Sequence, residues 1–377
     1  MDNKPSLERG HIDWLILLPA LALLLFSIAF VYSASAPVGE ARMGGADKLF
    51  WNHTIRAILG IVIMFTFMKI DYHFWQKISL PMLVLSIALL VGVFLFGTRI
   101  NNAYRWLNFG FFNFQPSEFA KFALVAHIAA LISQRKEVIK SFKFGLMPLL
   151  VWTGAVCVLI ALQPNMSTAV VIFLISFAIM FIGGTNVFHL IITGISAVFL
   201  SGIYALLAPY RRQRLFAYMG MSEGFEGADD PDKFQITQAI LAFGNGGATG
   251  VGPGQSRQSH LFLPESYGDF IFSIIGEEYG FIGAVILIAI FLFIIIRGLK
   301  TVKNAPDEFG YLLSAGILIT IGTYAAVSAA VNSGLLPTTG LPMPLVSYGG
   351  TAVLFYSAAI GIFLNISAQS GVYPKRG

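Results

Sequence analysis

The chain has 377 residues, 56% of them hydrophobic and 11% charged, with a formal net charge of +5 and a mean hydropathy of +0.76. A soluble domain carries roughly 25% charged residues, so a water-facing globule is excluded and an integral membrane protein is expected. The small net charge lies on loops, which speaks to topology and against nucleic-acid binding, and the single Cys157 rules out an intrachain disulfide or a cysteine metal site.

Ten apolar runs are long enough to span a bilayer. In chain order they are Trp14 to Ala34, His53 to Met68, Ile78 to Phe96, Glu118 to Ile132 and Phe144 to Leu162, then Thr168 to Ile182, Val187 to Leu207, Phe270 to Ile296, Tyr311 to Val331 and Val346 to Ile366. The run after Trp14 is about 20 residues, long enough to span, and no small-residue cleavage site ends it, so it reads as a span and not a cleaved signal. No internal repeat is apparent, which disfavours an inverted-repeat transporter.

Lys and Arg in short loops set orientation. Lys4 and Arg9, Lys69 and Lys77, the run from Arg135 to Lys143, Arg297 to Lys303, and Lys375 with Arg376 all fall on one side of a ten-span chain. That side is expected to be cytoplasmic, with both termini inside. The opposite loops are Ala36 to Asn52, Gly97 to Ser117, Tyr210 to Asp269 and Gly334 to Leu345. The third of these, about 210–269 between the seventh and eighth spans, is long enough to be functional. It holds YRRQRL (Tyr210 to Leu215), an acidic segment with Glu223, Glu226, Asp229, Asp230 and Asp232, and a short amphipathic helix expected over Phe234 to Phe243.

Several constellations could carry chemistry. LFLPESYGDFIFSIIGEEYGFIG, Leu261 to Gly283, places Asp269, Glu277 and Glu278 at or inside the eighth span. Acids there are costly and are functional suspects, although the macrodipole also favours an acid at a helix start. GNGGATGVGPGQSRQ, Gly244 to Gln258, exposes backbone amides that suit phosphate oxygens, with Arg257 as a neighbouring cation. It matches neither a P-loop nor a dinucleotide fingerprint, and a plain turn-rich loop is the commoner meaning of such a run. RWLNFG…QPSEFAKFA runs from Arg105 to Ala123. Pro116 suits a helix start, and Glu118 and Lys121 are then on one face in pairing range, either lining a polar cavity or snorkelling to the interface. Arg105 supplies a guanidinium suited to phosphate. Pro337, Pro342 and Pro344 break LLPTTGLPMPLVSYGGTAVLF, Leu335 to Phe355, which must then line protein or water. Ser347 and Tyr348 there could hydrogen-bond a ligand, with a kinked packed loop as the plainer alternative. The six histidines show no metal spacing.

Together these motifs resemble the SEDS family (shape, elongation, division and sporulation) of bacterial peptidoglycan glycosyltransferases. The resemblance covers nearly the whole chain, 1–377, as one polytopic membrane domain. It rests on YSAS at Tyr32 to Ser35, RWL with QPSEFAK, the Gly-rich run, FLPE…DFIF…GEEYGFIG, and LPTTGLPMPLVSYGG. YSAS, YRRQRL, GVGPGQSRQ and LPTTGLP look more like its division members than its elongation members. The resemblance implies an all-α fold of ten membrane helices in the bacterial cytoplasmic membrane, at the division septum. It implies polymerisation of lipid II, an undecaprenyl-diphosphate-linked disaccharide-pentapeptide, on the outer face. It also implies a class B penicillin-binding transpeptidase and other division membrane proteins as partners. The family's essential acid matches Asp269, and its arginine, acid and lysine match Arg105, Glu118 and Lys121. Family members usually carry His-Thr where this chain has Tyr267-Gly268, and an acid where it has Asn165.

On that basis Asp269 is expected to be the general base toward the acceptor sugar 4-hydroxyl, with inversion at the anomeric carbon. Arg105 and Lys121 are expected near the diphosphates, Glu118 orienting Lys121, with Arg257 and Ser347 as further substrate contacts and no protein metal cluster. A divalent cation could share the neutralisation of charge. Glu277 and Glu278 read as support. A lipid flippase or a division scaffold are the rival classes.

Overall fold

The computed structural model describes residues 12–43, 45, 47–100, 103–110, 113–207, 231–260 and 262–370. Lys4, Arg9, Lys375 and Arg376 lie outside them, as do Tyr210 to Leu215 and the acids from Glu223 to Asp230. The described chain is a bundle of helices: α1 Trp14–Met43, α2 Asp47–Lys69, α3 Tyr72–Phe96, α4 Pro116–Gln134, α5 Met147–Leu162, α6 Met166–Ile182, α7 Val187–Leu207, α8 Pro231–Gly246, α9 Ile271–Lys303, α10 Glu308–Asn332 and α11 Ala352–Gln369. Each of the ten apolar runs falls on one of these helices. Eight are long and apolar enough to cross a membrane, with α6 and α7 as shorter apolar helices. The amphipathic segment from Phe234 lies in α8. The tenth run begins late, at Ala352, because Ser347 to Gly350 belong to an irregular segment.

One element departs from the all-helical expectation. Between α3 and α4 the chain forms a small antiparallel meander of β1 Thr98–Ile100, β2 Ala103–Asn108 and β3 Asn113–Phe114. Trp106 faces Thr98 and Leu107 faces Phe114. Strands of three, six and two residues are too short to show a readable period of two.

Burial separates an inner from an outer ring. α4, α10 and α11 bury 78%, 67% and 72% of their apolar windows, whereas α1, α2, α3, α5 and α9 bury 28% to 39%. The less buried helices present apolar side chains outward, as lipid contact requires. α2 closes on α11 through small residues. A Cβ at Gly60 would lie 2.8 Å from Ser357 Oγ, and one at Gly361 2.4 Å from the Met64 carbonyl oxygen.

The basic connections gather at one end of the bundle. There Arg297 Nε donates to Asp13 Oδ2 at 2.8 Å, His73 sits 2.7 Å from both Asp71 and Asp307, and Lys136 lies 3.4 Å from Glu308. The meander, the start of α9 and the Pro-rich segment lie at the other end.

The Gly-rich run has a definite job in this architecture. α9 is interrupted at Gly280, whose φ is 67° and ψ −168°. An interruption frees backbone groups, and inside an apolar bundle they must be satisfied by protein. The Val251 and Gly252 amides donate to the Glu277 and Glu278 carbonyls, each at 3.0 Å, while the Phe281 and Ile282 amides donate to the Gly247 and Ala248 carbonyls at 2.9 and 3.1 Å. The loop can approach only because it lacks side chains: a Cβ at Gly250 would lie 2.1 Å from the Glu278 carbonyl oxygen. Of the two readings of this run, a phosphate cradle or a turn-rich loop, the structure gives it a structural task. Two of the amides that could have faced phosphate splice a broken helix.

Candidate active site

Asp269 lies in the turn just before α9, partly buried. Its backbone is held by Asn332, at the end of α10. Asn332 Nδ2 donates to the carbonyls of Asp269 (2.9 Å) and Ser328 (2.8 Å). Its Oδ1 accepts from the amide (3.0 Å) and hydroxyl (2.8 Å) of Ser273. That uses two donors and two acceptor sites of one buried amide, and it clamps the Asp269 turn and the first turn of α9 to α10. Sequence reading passed over Asn332; its one signal was a polar amide ending an apolar run just ahead of the Pro-rich segment.

The Pro-rich segment packs onto this turn. The Tyr348 amide donates to the Tyr267 carbonyl at 2.9 Å. Gly340 has φ +69°, and a Cβ there would sit 3.5 Å from Asp269 Oδ2. Glycine is thus favoured twice at 340, by its backbone and by the carboxylate beside it. The Asp269 carboxylate accepts no hydrogen bond among the described residues. Burial first, and the nearby charge of Glu265 second, push its carboxyl up to about 7, against the opposing pull of Arg105.

Arg105 reaches this neighbourhood from β2. Its Nε donates to the Gln163 carbonyl at 3.4 Å and its terminal nitrogen to the Pro164 carbonyl, in the α5–α6 turn. Next to it, Trp106 packs on Gly350, where a Cβ would lie 3.1 Å from the indole. Four separated stretches, β2, the α5–α6 turn, the turn before α9 and the Pro-rich segment, therefore meet around one carboxylate.

Glu118 and Lys121 pair as their spacing suggests, with 2.8 Å between Nζ and Oε2. Their setting differs from expectation. Both are buried, with side chains 3% and 1% exposed, so they neither snorkel nor line an open cavity. The Lys121 amine donates to Tyr356 Oη at 3.0 Å and lies 3.9 Å from the ring centroid of Tyr324 and 4.3 Å from that of Tyr356. An ammonium with a carboxylate, a hydroxyl and two ring faces around it is enclosed. In this structure the pair ties α4 to α10 and α11.

Of the remaining candidates, Ser347 has a structural task and Arg257 keeps its side chain exposed. Ser347 is buried, and its Oγ accepts from the Met343 amide at 2.8 Å, closing a turn. Arg257 is exposed on the Gly-rich loop, where its amide donates to Glu277 at 3.3 Å. Glu277 is fully buried and accepts from Ser256 Oγ (2.5 Å), Asn245 Nδ2 (3.1 Å) and the amides of Arg257 and Gln258. Glu278 accepts from Ser33 Oγ of α1 at 2.5 Å. Both acids take donors from other segments, Glu277 from the Gly-rich loop and the end of α8 and Glu278 from α1. Among the described residues no three His, Cys, Asp or Glu side chains assemble as metal ligands, so a divalent cation here would take most of its ligands from the substrate's phosphates.

Comparison with known proteins places this geometry. The cell cycle protein family of FtsW, RodA and SpoVE matches residues 13–371. A relative from Geobacter sulfurreducens (strain DL-1 / KN400), named "Probable peptidoglycan glycosyltransferase FtsW", is 36% identical over 370 residues, covering 97% of each chain. "Stage V sporulation protein E" of Bacillus subtilis (strain 168) is 34% identical, covering 95% of this chain and 97% of its own. In fold, the chain resembles a structure described as "Structural coordination of polymerization and crosslinking by a peptidoglycan synthase complex", at TM-score 0.78 and 24% identity over 95% of this chain and 98% of the other. It also resembles the rod shape determining protein RodA of Thermus thermophilus, at TM-score 0.69 and 23% identity over 95% and 97%.

Proposed function

This chain belongs to the FtsW/RodA/SpoVE family of cell cycle proteins, and on that premise we propose that it is a peptidoglycan glycosyltransferase acting in septal wall synthesis. It polymerises lipid II at the outer face of the bacterial cytoplasmic membrane as a single ten-span unit. Both termini are cytoplasmic and the 210–269 loop is external. The gathering of Lys- and Arg-bearing connections at the end opposite Asp269 supports that orientation. Relatives named FtsW support the septal role over a purely elongation role.

The observation that carries the reading is the Asp269 carboxylate. It is fixed through its backbone, accepts no hydrogen bond among the described residues, and is raised to about 7, where a general base works best near neutral pH. As the acceptor 4-hydroxyl oxygen attacks the anomeric carbon, its proton passes to Asp269. The new O–C1 bond forms on the face opposite the breaking C1–O bond, so configuration inverts, and undecaprenyl diphosphate leaves with the bonding electrons. Arg105, whose charge already acts on Asp269, offsets charge growing on the diphosphate. A lipid-linked substrate also suits an apolar cleft of about 440 Å³ between α2, α3, α4, α10 and α11, lined by Phe67, Trp75, Phe119 and Phe355. Thr351 on its wall accepts from the Gln115 amide at 3.2 Å, which sets the cleft beside the segment carrying Tyr348. A class B penicillin-binding transpeptidase, other division membrane proteins and lipid II itself are the partners proposed.

The test is the reconstituted protein with a cognate transpeptidase and labelled lipid II, reading glycan polymer and transbilayer movement in parallel. Polymer without enhanced movement is expected. Movement without polymer would favour a flippase and overturn the assignment.

A further inference from the structure

The enclosure of Lys121 raises the question of which group meets the diphosphate alongside Arg105. Arg56 stands nine residues into α2, about 13 Å from its start at 1.5 Å per residue. Arginine inside an apolar span is costly and needs a partner. Arg297 has Asp13, and Lys121 has Glu118. Arg56 is half-buried and makes neither an ion pair nor a hydrogen bond among the described residues. Its guanidinium carbon lies over the ring of Tyr348, 5.1 Å from the centroid. A ring beneath one face orients the guanidinium and leaves its five N–H groups unspent.

Tyr348 ties this cation to the proposed base. Its amide donates to the Tyr267 carbonyl, and its ring meets the ring of Tyr267 edge-on at 5.4 Å. Tyr267 is two residues before Asp269. One turn before Arg56, on the same face of α2, buried His53 lies 5.9 Å from the Tyr348 ring. Its Nε2 is 2.9 Å from Ser27 Oγ, and its Nδ1 has no hydrogen-bond partner among the described residues. An unsatisfied arginine and an unsatisfied imidazole nitrogen thus flank one tyrosine, next to the turn that carries the reactive carboxylate.

We propose that Arg56, braced on Tyr348, is an anion subsite that holds a diphosphate of the lipid-linked substrate. The inference rests on the polymerase reading, in which the leaving diphosphate hangs from the same carbon that the Asp269-activated hydroxyl attacks. A guanidinium fork matches phosphate oxygens in pairs, so a diphosphate satisfies what the protein leaves open. Arg105 and Arg56 then approach the reacting centre from different elements, β2 and α2.

Binding of undecaprenyl diphosphate to the full-length protein in nanodiscs, with inorganic diphosphate and undecaprenol as competitors, tests this. Arg56→Met should weaken binding at least about tenfold, the loss of a charged hydrogen-bonding group, and Arg56→Lys should retain part of it. Inorganic diphosphate should compete with the parent and lose that ability in Arg56→Met. Unchanged thermal unfolding of Arg56→Met and Arg56→Lys keeps misfolding apart from lost contact. Equal binding by parent and Arg56→Met would overturn the subsite while leaving polymerisation by the parent intact. Competition by undecaprenol alone, insensitive to the substitution, would also overturn it. A parent that neither binds the lipid diphosphate nor makes polymer would overturn the subsite and the reading beneath it together.

Discussion

Asp269 and Glu277 stand eight residues apart in one stretch, and their surroundings are opposite. Glu277 is fully buried, with four donors on its two oxygens. Asp269 is partly exposed, with none on its carboxylate, and its backbone carbonyl alone is clamped by Asn332. A carboxylate supplied with donors holds structure together. One denied them, desolvated and set near another acid, is raised toward neutrality and left reactive. The same contrast separates the cations: Lys121 is enclosed by its partners and Arg56 is not. Function in this fold gathers where the protein leaves hydrogen-bonding capacity unspent.

The sharpest way to break the contrast is to exchange the fates of the two acids. Asp269→Asn removes the base and should cost about 100- to 10,000-fold in polymerisation rate, with no loss of thermal stability, because no donor among the described residues loses its acceptor and a neutral amide avoids the cost of the desolvated charge. Lys121→Met should act on stability. It strands Glu118 in the bundle, at about 3–5 kcal/mol, and adding Glu118→Gln should restore most of the loss in a denaturation series. Glu277→Gln should be milder, about 1–3 kcal/mol, because an amide NH₂ must face two donors that now face an oxygen. The smallest effect concerns pH. Polymerisation should rise with pH through about 7 as Asp269 ionises, and Glu265→Gln, removing a like charge, should move that rise to lower pH in a rate profile. The stability sign is the reverse. The folded protein holds the Asp269 proton more tightly than the unfolded chain does. The resulting stabilisation is full below the ordinary carboxylate value of 3.8 and is lost as pH rises from there through about 7.

The helices were legible because apolar runs of spanning length have few alternatives, and the Glu118–Lys121 pair because helical spacing dictates it. What was not legible depended on contacts between distant segments. Glycines in the 244–258 run are identical on paper whether they face phosphate or a broken helix; the break at Gly280 decides it, and nothing in the one-dimensional pattern sets Gly250 against Glu278. Asn332 and Arg56 carried only the weak signal of a polar residue in an apolar run. Only the family resemblance told Asp269 from Glu277 and Glu278, because donors from Ser256, Asn245 and Ser33 come from elsewhere in the chain.

The most direct measurement is an infrared pH titration of the carboxyl C=O band in the full-length protein in nanodiscs, differenced against Asp269→Asn. The expected result is a protonated carboxyl signal that disappears as pH rises through about 7 and is missing from the variant, while Glu277→Gln leaves it in place. An Asp269 band already gone near the ordinary aspartate value of about 3.9, or a band near neutrality that survives in Asp269→Asn, would contradict the assignment of Asp269 as the base.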